Sequence, residues 1–275
     1  MRVAAVSTAL ILALAVGASG CKPKQEATAP IGPAPVDAAP STPADAAAPL
    51  TFSNKTADAE ITLKLPAAVA RQPDLHARLY ADGVKELKAF SEGATGERAE
   101  AGGEGIPPYS KEIAWDLGAD TGKLMSLART DYEYAGGAHP NHSSQAVLWD
   151  KSLKRQVQPG QLIRGDGAAL DAALCDAIVV AKKERLGADA TPPGGDWKCP
   201  SWRSTPFVLV PSTTGGKAGG LKFMIAPYAV GPYAEGGYEV VVPLSAFQTS
   251  LAAAYADDFA GQPQVQQAAV APAAQ

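Results

Sequence analysis

Histidine and cysteine are scarce in these 275 residues, three of each, and that scarcity removes much of the chemistry a chain of this length could carry. A zinc centre wants three or four ligands converging from a rigid scaffold. A catalytic histidine needs a nucleophile or substrate water and a partner that orients its ring. The sequence also lacks a G-x-S-x-G elbow, an H-E-x-x-H pair, an S-x-x-K and a nucleotide fingerprint. "STTGGKAGG" at 212–220 resembles a phosphate loop at first sight, yet Ala218 stands where a hydroxyl would bind magnesium and a strand follows instead of a helix, so it reads as a hairpin loop. Basic residues are not in excess: 24 face 28 acidic ones. With no basic stripe and no aromatic residues interleaved with it, nucleic acid is excluded as a partner. Long apolar runs are absent apart from residues 3–16, which are too few to span a bilayer.

What is present begins with that run. Arg2, the apolar stretch and the small residues of "GASGC" form an export signal over residues 1–20. Small residues directly before Cys21 resemble a bacterial lipobox, in which the cysteine becomes the acylated first residue of the mature protein. Ala18 departs from the leucine usual there, and an ordinary cleaved signal or a buried Cys21 is the alternative. Several acyl chains, at roughly 0.8 kcal/mol per buried CH₂, hold a protein firmly to a membrane. Lys22 in place of an aspartate after the cysteine directs the expectation to an outer-membrane lipoprotein facing the periplasm. Residues 21–50 are rich in proline and alanine with little to bury, and are expected to form a disordered tether. An Ala/Gln-rich tail from Gly261 to the end, 261–275, is expected to be disordered too.

With the signal and its one arginine removed, 23 basic and 28 acidic side chains leave a charge of −5. Cys175 and Cys199 then remain as a pair in an oxidising compartment, and one structural disulfide is the simplest outcome. A redox-active thiol or a metal site are rival readings, poorly served by two cysteines so far apart. Chain-entropy arithmetic gives such a loop about 3 kcal/mol.

Periodicity supplies the rest. "AEITLKLP" alternates Ile61, Leu63 and Leu65 as a half-buried strand does. Residues 73–90 place Ala77, Tyr80, Val84 and Leu87 at helical spacing, and "ATGERAEAGGEGIPP" follows as a mobile polar loop. "YSKEIAWDL", "LMSLARTDYEYA" and "SSQAVLWD" alternate as three strands with short connections, an antiparallel meander. A helix from an Asp166 N-cap follows, with Leu170, Leu174, Ile178 and Ala181 on one stripe and Lys182, Lys183 and Arg185 near its C-terminus, where the dipole favours them. "PFVLVP", "GGLKFMIAPY" and "YEVVVP" read as strands, and "LSAFQTSLAAAYADDF" as a closing helix. The fold class is α+β: an antiparallel meander sheet packed with two or three helices and one disulfide.

One stretch gathers the functional candidates. "YEYAGGAHPNHSSQAVLWD", 132–150, holds two of the histidines beside a Gly-Gly step. His139 and His142 with Asp131 or Glu133 make a weak metal set, and no triad is legible. The plainer reading lets Gly136 and Gly137 take positive φ while His139 and Asn141 hydrogen-bond loop carbonyls. The stretch resembles the Y-x-x-x-G-G-A-H-P-N element of an extracytoplasmic domain found in RsiV-like lysozyme-sensing anti-sigma factors and beside the catalytic domain of PdaC-like peptidoglycan deacetylases. "LKFMIAPYAVGPYAEGGYEVVVPLSAF" is similar to the closing strands and tyrosine-containing loop of the same family. The resemblance covers about 58–255, as a PdaC-like half over 51–135 and an RsiV-like half over 136–260. It implies an α+β fold and a non-catalytic binding or sensor role at the cell envelope, toward a peptidoglycan fragment or a lysozyme-like protein; the shortage of ligand residues adds the expectation of no cofactor and no metal. A small His-dependent or metal-dependent peptidoglycan hydrolase is the alternative. The expected binding surface consists of Tyr134, His139, Asn141, His142, Tyr228, Tyr233 and Tyr238, because tyrosine offers an apolar face with a polar tip; the alternative makes two of Tyr228, Tyr233 and Tyr238 core or interface residues between sheet and helix.

Overall fold

A computed structural model describes residues 48–100, 102 and 107–264. The export signal, Cys21, the tether up to residue 47 and the tail from 265 lie outside the described residues.

The chain opens with a hairpin, β1 (Thr51–Lys55) and β2 (Ala59–Lys64), whose turn is closed by Thr56 Oγ1 accepting the N–H of Ala59 at 2.9 Å. Leu50 is partly buried and its carbonyl accepts the N–H of Leu65 at 2.8 Å, so the packed chain begins before the expected end of the tether. The helix α1 (Pro73–Glu100) carries the chain back to β3 (Tyr109–Asp120), which pairs parallel with β2. Parallel neighbours need a crossover of a dozen or more residues, and α1 is that crossover. It is longer than the periodicity suggested. Residues expected in the mobile loop form its last turns, with Ala94 and Arg98 buried. The buried stripe is Leu75, Leu79, Gly83 and Leu87, and Ala77 is exposed. Gly83 belongs there because a Cβ would come within 2.9 Å of Leu63.

From β3 the expected meander appears: β4 (Leu124–Tyr134), β5 (Asn141–Asp150) and β6 (Arg155–Gln156), all antiparallel, completing a sheet in the order β1-β2-β3-β4-β5-β6. The 135/136 boundary between the expected halves falls in the connection between β4 and β5. A second sheet, β7 (Phe207–Pro211), β8 (Ala218–Ile225) and β9 (Tyr238–Pro243), is wholly antiparallel. "STTGGKAGG" contributes the β7–β8 connection and the start of β8. Two helices, α2 (Pro159–Leu162) and α3 (Ala168–Leu186), lie between the sheets in sequence. The fold is α+β with one disulfide, Cys175–Cys199, its Cα atoms 5.4 Å apart.

Strand alternation sorts the packing. Met125 and Leu127 join Leu75, Leu79 and Trp115 under α1, while Ala128 meets Val208 and Met224 of the second sheet on the opposite face. Leu221, Phe223 and Val240 point the other way and receive Leu170, Leu174 and Ile178 of α3. Each such apolar side chain is worth about 1.5–3 kcal/mol when fully buried.

Four further expectations are corrected. Gly167, at φ +72°, occupies the N-cap of α3, and the Asp166 carboxylate accepts the Ala168 N–H at 3.2 Å from outside the helix. A Cβ at Gly167 would stand 2.1 Å from Nε1 of the fully buried Trp202. Lys182 lies before the last turn of α3, which holds Lys183 and Arg185, and is a buried group, 2% exposed. The closing helix is absent: 244–246, 248–250 and 256–258 are separate 3-10 turns. The backbone between them bonds elsewhere, Ala252 N–H to the Leu162 carbonyl at 2.9 Å and Ser250 carbonyl to Arg164 N–H at 2.7 Å. Residues 261–264 of the expected tail also pack, with Gln264 N–H on the Pro211 carbonyl at 2.7 Å.

Candidate functional site

The β4–β5 and β8–β9 connections meet in space. Gly136 and Gly137, at φ +83° and +93°, turn the chain after β4 in a conformation that suits glycine. The imidazole of His139 then stacks on the ring of Tyr233, with centroids 4.1 Å apart and planes 22° apart. His139 Nδ1 lies 3.0 Å from the Pro140 carbonyl, and because a carbonyl only accepts, that nitrogen carries the proton. The Tyr233 hydroxyl donates to the same oxygen at 3.0 Å, tying one loop to the other. The ring of Tyr228 continues the group, 5.3 Å from that of Tyr233 and 56% exposed.

Tyr228 holds φ at +68°. Pro227 and Tyr228 are the central residues of a turn closed by the Ala229 N–H on the Ala226 carbonyl at 3.2 Å, and positive φ after proline is the type II pattern, where glycine is usual. A bulky side chain at positive φ is an outlier of the kind that gathers at functional sites.

Three of the seven expected binding residues, His139, Tyr228 and Tyr233, therefore come together. Asn141 and His142 are exposed but belong to the start of β5 and not to the loop. The ring of His142 meets that of Tyr132 edge-on at 5.4 Å. Tyr134 is half-buried opposite Ser110. Tyr238 is 2% exposed, so it is framework beneath the loop and offers no open face. Its hydroxyl donates to Glu235 at 2.9 Å, and the Arg185 guanidinium lies 3.9 Å from its ring centre.

The carboxylates weighed as metal ligands are turned away. Asp131 and Glu133 alternate with Tyr132 and so face α1, where Asp131 accepts from Arg129 at 2.7 Å and Glu133 from Lys111 at 2.7 Å. Glu86 of α1 closes that network by accepting from Arg129 at 2.8 Å. Burial raises the Glu86 carboxyl, but the Arg129 and Lys111 hydrogen bonds outweigh it and hold it below the ordinary value. Among the described residues, no three His, Cys, Asp or Glu side chains gather as a ligand group.

Sequence reasoning missed what moors the tyrosine loop. Lys182 of α3 donates to the Val230 carbonyl at 2.6 Å and pairs with the Glu235 carboxylate at 3.0 Å. Arg185, one turn on, donates to the carbonyls of Glu235 at 2.6 Å and Gly237 at 2.8 Å. Lys182 falls on the same i, i+4 stripe as Leu174 and Ile178, which was the available signal.

Residues 52–142 match the family model described as Deacetylase PdaC, from β1 to the start of β5. Among solved structures, a member of the DUF3298 family from Bacteroides fragilis is 20% identical, covers 76% of this chain and 96% of its own, and superposes with a TM-score of 0.55. A DUF3298 family protein from Pseudomonas aeruginosa is 14% identical over 78% of this chain and 99% of its own, with a TM-score of 0.45. No curated protein matches. The PdaC-like part of the resemblance is thus found over 52–142, and the Bacteroides structure shares the fold. The RsiV-like part rests on the sequence motifs alone.

Proposed function

We propose that the protein is a non-catalytic recognition module of the bacterial cell envelope, anchored by an acylated Cys21 on the periplasmic face of the outer membrane, that binds peptidoglycan fragments at the His139–Tyr233–Tyr228 stack. The observation that carries this reading is the stack itself: two near-parallel rings 4.1 Å apart, extended by an exposed tyrosine held at positive φ. Flat apolar faces with polar edges suit sugar rings, and strain retained at an exposed aromatic residue suits a binding role better than a packing role. The match to the Deacetylase PdaC model supports a setting at the envelope. The turning of Asp131 and Glu133 away from both histidines supports recognition over hydrolysis. Net acidity would also suit a basic lysozyme-like protein, which is the other partner to test.

The experiment is a titration of the full chain with purified muropeptides and, separately, with lysozyme, repeated on Tyr228→Ala and Tyr233→Ala. Saturable muropeptide binding that weakens at least about tenfold in both variants is expected, since aromatic anchors dominate such sites. Binding to lysozyme alone transfers the site to a protein partner. Binding to neither, or turnover of the muropeptide, refutes the reading.

A further inference from the structure

The sheet formed by β1 to β6 ends on an edge that is covered for only part of its length. The short β6 pairs with Trp149 and Asp150 alone, and Val157 N–H reaches the Leu148 carbonyl at 2.7 Å. Beyond that point the chain leaves through α2. Because the Leu148 carbonyl points outward and the direction alternates along a strand, the N–H and C=O groups of His142, Ser144 and Ala146 point outward as well. Among the described residues, no strand pairs with them on that side. Edges of this kind are usually blunted by charge, proline or a bulge. Residues 141–147, "NHSSQAV", carry none of these.

A cavity lies on each side of the same edge. One, of about 230 Å³, is formed toward α1 by Arg78, Trp115, Arg129 and Val147. The other, of about 260 Å³, is formed toward the second sheet by Ala146, Val157, Arg203 and Phe207. Gln145 and Gln156 line both, which fixes the cavities as the two flanks of one groove. An added strand would alternate its side chains between them.

The charged side chains lining the groove are Arg78, Asp82 and Arg129 on the α1 flank and Arg203 on the other, three guanidinium groups against one carboxylate, and this balance selects the occupant. Arg129 is committed to Glu86 and Asp131. Arg78 lies over the Trp149 ring at 5.3 Å, and Arg203 lies over the Trp202 ring at 4.5 Å and donates to the Gly165 carbonyl. Among the described residues, neither pairs with a carboxylate. A second copy of this chain laid antiparallel along β5 would bring like charges together and present no acid from 141–147.

We propose that the β5 edge is a second binding surface, separate from the aromatic site, at which an extended acidic peptide of a partner protein adds as a strand in line with β6. Its backbone pairs with His142, Ser144 and Ala146, and its carboxylates reach Arg78 on one flank and Arg203 on the other. Backbone pairing gives affinity in such additions, and the alternate pockets give selectivity.

The test uses the full chain and a fluorescein-labelled octapeptide of valine, threonine and glutamate, with glutamates at adjacent positions so that one falls on each flank. Anisotropy is read for this peptide, for its lysine counterpart, and for a version N-methylated at alternate amides. Saturable binding of the acidic peptide, weakened about tenfold or more by lysine or by N-methylation, is expected, since both the charges and the backbone bonds are then lost. Ser144→Pro removes an outward N–H and leaves the β4 ladder intact, so it too should weaken binding about tenfold, with circular dichroism reporting an unchanged fold. The Arg78→Glu and Arg203→Glu variants should favour the lysine peptide. Equal affinity for the N-methylated peptide, no binding of the acidic peptide, or a dimer of this chain abolished by Ser144→Pro would each overturn the proposal. Muropeptide binding at the tyrosine stack is unaffected by Ser144→Pro, so the two surfaces stand or fall separately.

Discussion

Replacing Lys182 by methionine tests how the tyrosine loop is held. The lysine side chain is 3% exposed and that of its partner Glu235 is 13% exposed, so water screens the pair weakly. Methionine fills a similar volume but leaves the Glu235 carboxylate with the Tyr238 hydroxyl at 2.9 Å and strips the Val230 carbonyl of its donor. Breaking a buried ion pair by removing one partner costs about 3–5 kcal/mol. The surviving Tyr238 bond places this case near the lower end, at about 3 kcal/mol. The double variant with Glu235→Gln should recover part of the loss, giving a coupling of about 2 kcal/mol in a double-mutant cycle. The pH dependence has a definite sign. Burial raises the Glu235 carboxyl, but hydrogen bonds from Lys182 and Tyr238 and the charges of Lys182 and Arg185 outweigh it and hold it below its ordinary 4.5. A carboxyl depressed in the folded state stabilises above its unfolded value and loses that contribution as pH falls through the folded one. Urea unfolding followed by circular dichroism should therefore show the gap between wild type and Lys182→Met full at neutral pH and closing below about pH 4.5. A loss under about 1 kcal/mol at pH 7, or a gap that does not change with pH, refutes the mooring.

Three other outcomes follow from the structure. Reducing Cys175–Cys199, or replacing both by serine, should lower unfolding stability by roughly 3 kcal/mol, read from urea midpoints. Gly118→Ala should cost about 1–3 kcal/mol in the same measurement, because a Cβ there would meet the Leu209 carbonyl oxygen and Val208 Cβ, both at 2.8 Å. Tyr228→Gly should raise stability by about 0.5 kcal/mol, since relief of left-handed strain exceeds the added chain entropy, while muropeptide binding falls. Stability and binding moving in the same direction would argue that Tyr228 is held for packing.

Strands were the legible part of this fold. Ile61, Leu63, Ile113 and Trp115 alternate because one face of their sheet meets α1, and that signal is local. The parallel pairing of β2 with β3 was not legible, since it depends on α1 running through a glycine-containing stretch to Glu100. Gly93 and Gly96 stand in open space there, while Ala94 and Arg98 supply the buried face. The closing segment forms separate 3-10 turns in place of a helix for a related reason. Its apolar residues Leu244, Phe247, Ala252 and Tyr255 do bury in one core, but the backbone bonds go to residues 162–164, which are distant in sequence. At the site, the Gly-Gly turn and the histidines could be read directly. The meeting of His139 with Tyr233 could not, because it joins two loops 94 residues apart, as their numbers show. Tyr238 shares its residue type and its loop with Tyr228 and Tyr233, and only the structure shows it buried beneath them.

The most direct measurement is amide hydrogen exchange on the full chain with and without saturating muropeptide. Recognition at the stacked rings predicts slowed exchange confined to the β4–β5 turn and residues 226–238, with the muropeptide recovered chemically unchanged. Protection elsewhere with none in those two loops, or a cleaved or deacetylated product in the recovered ligand, would contradict it.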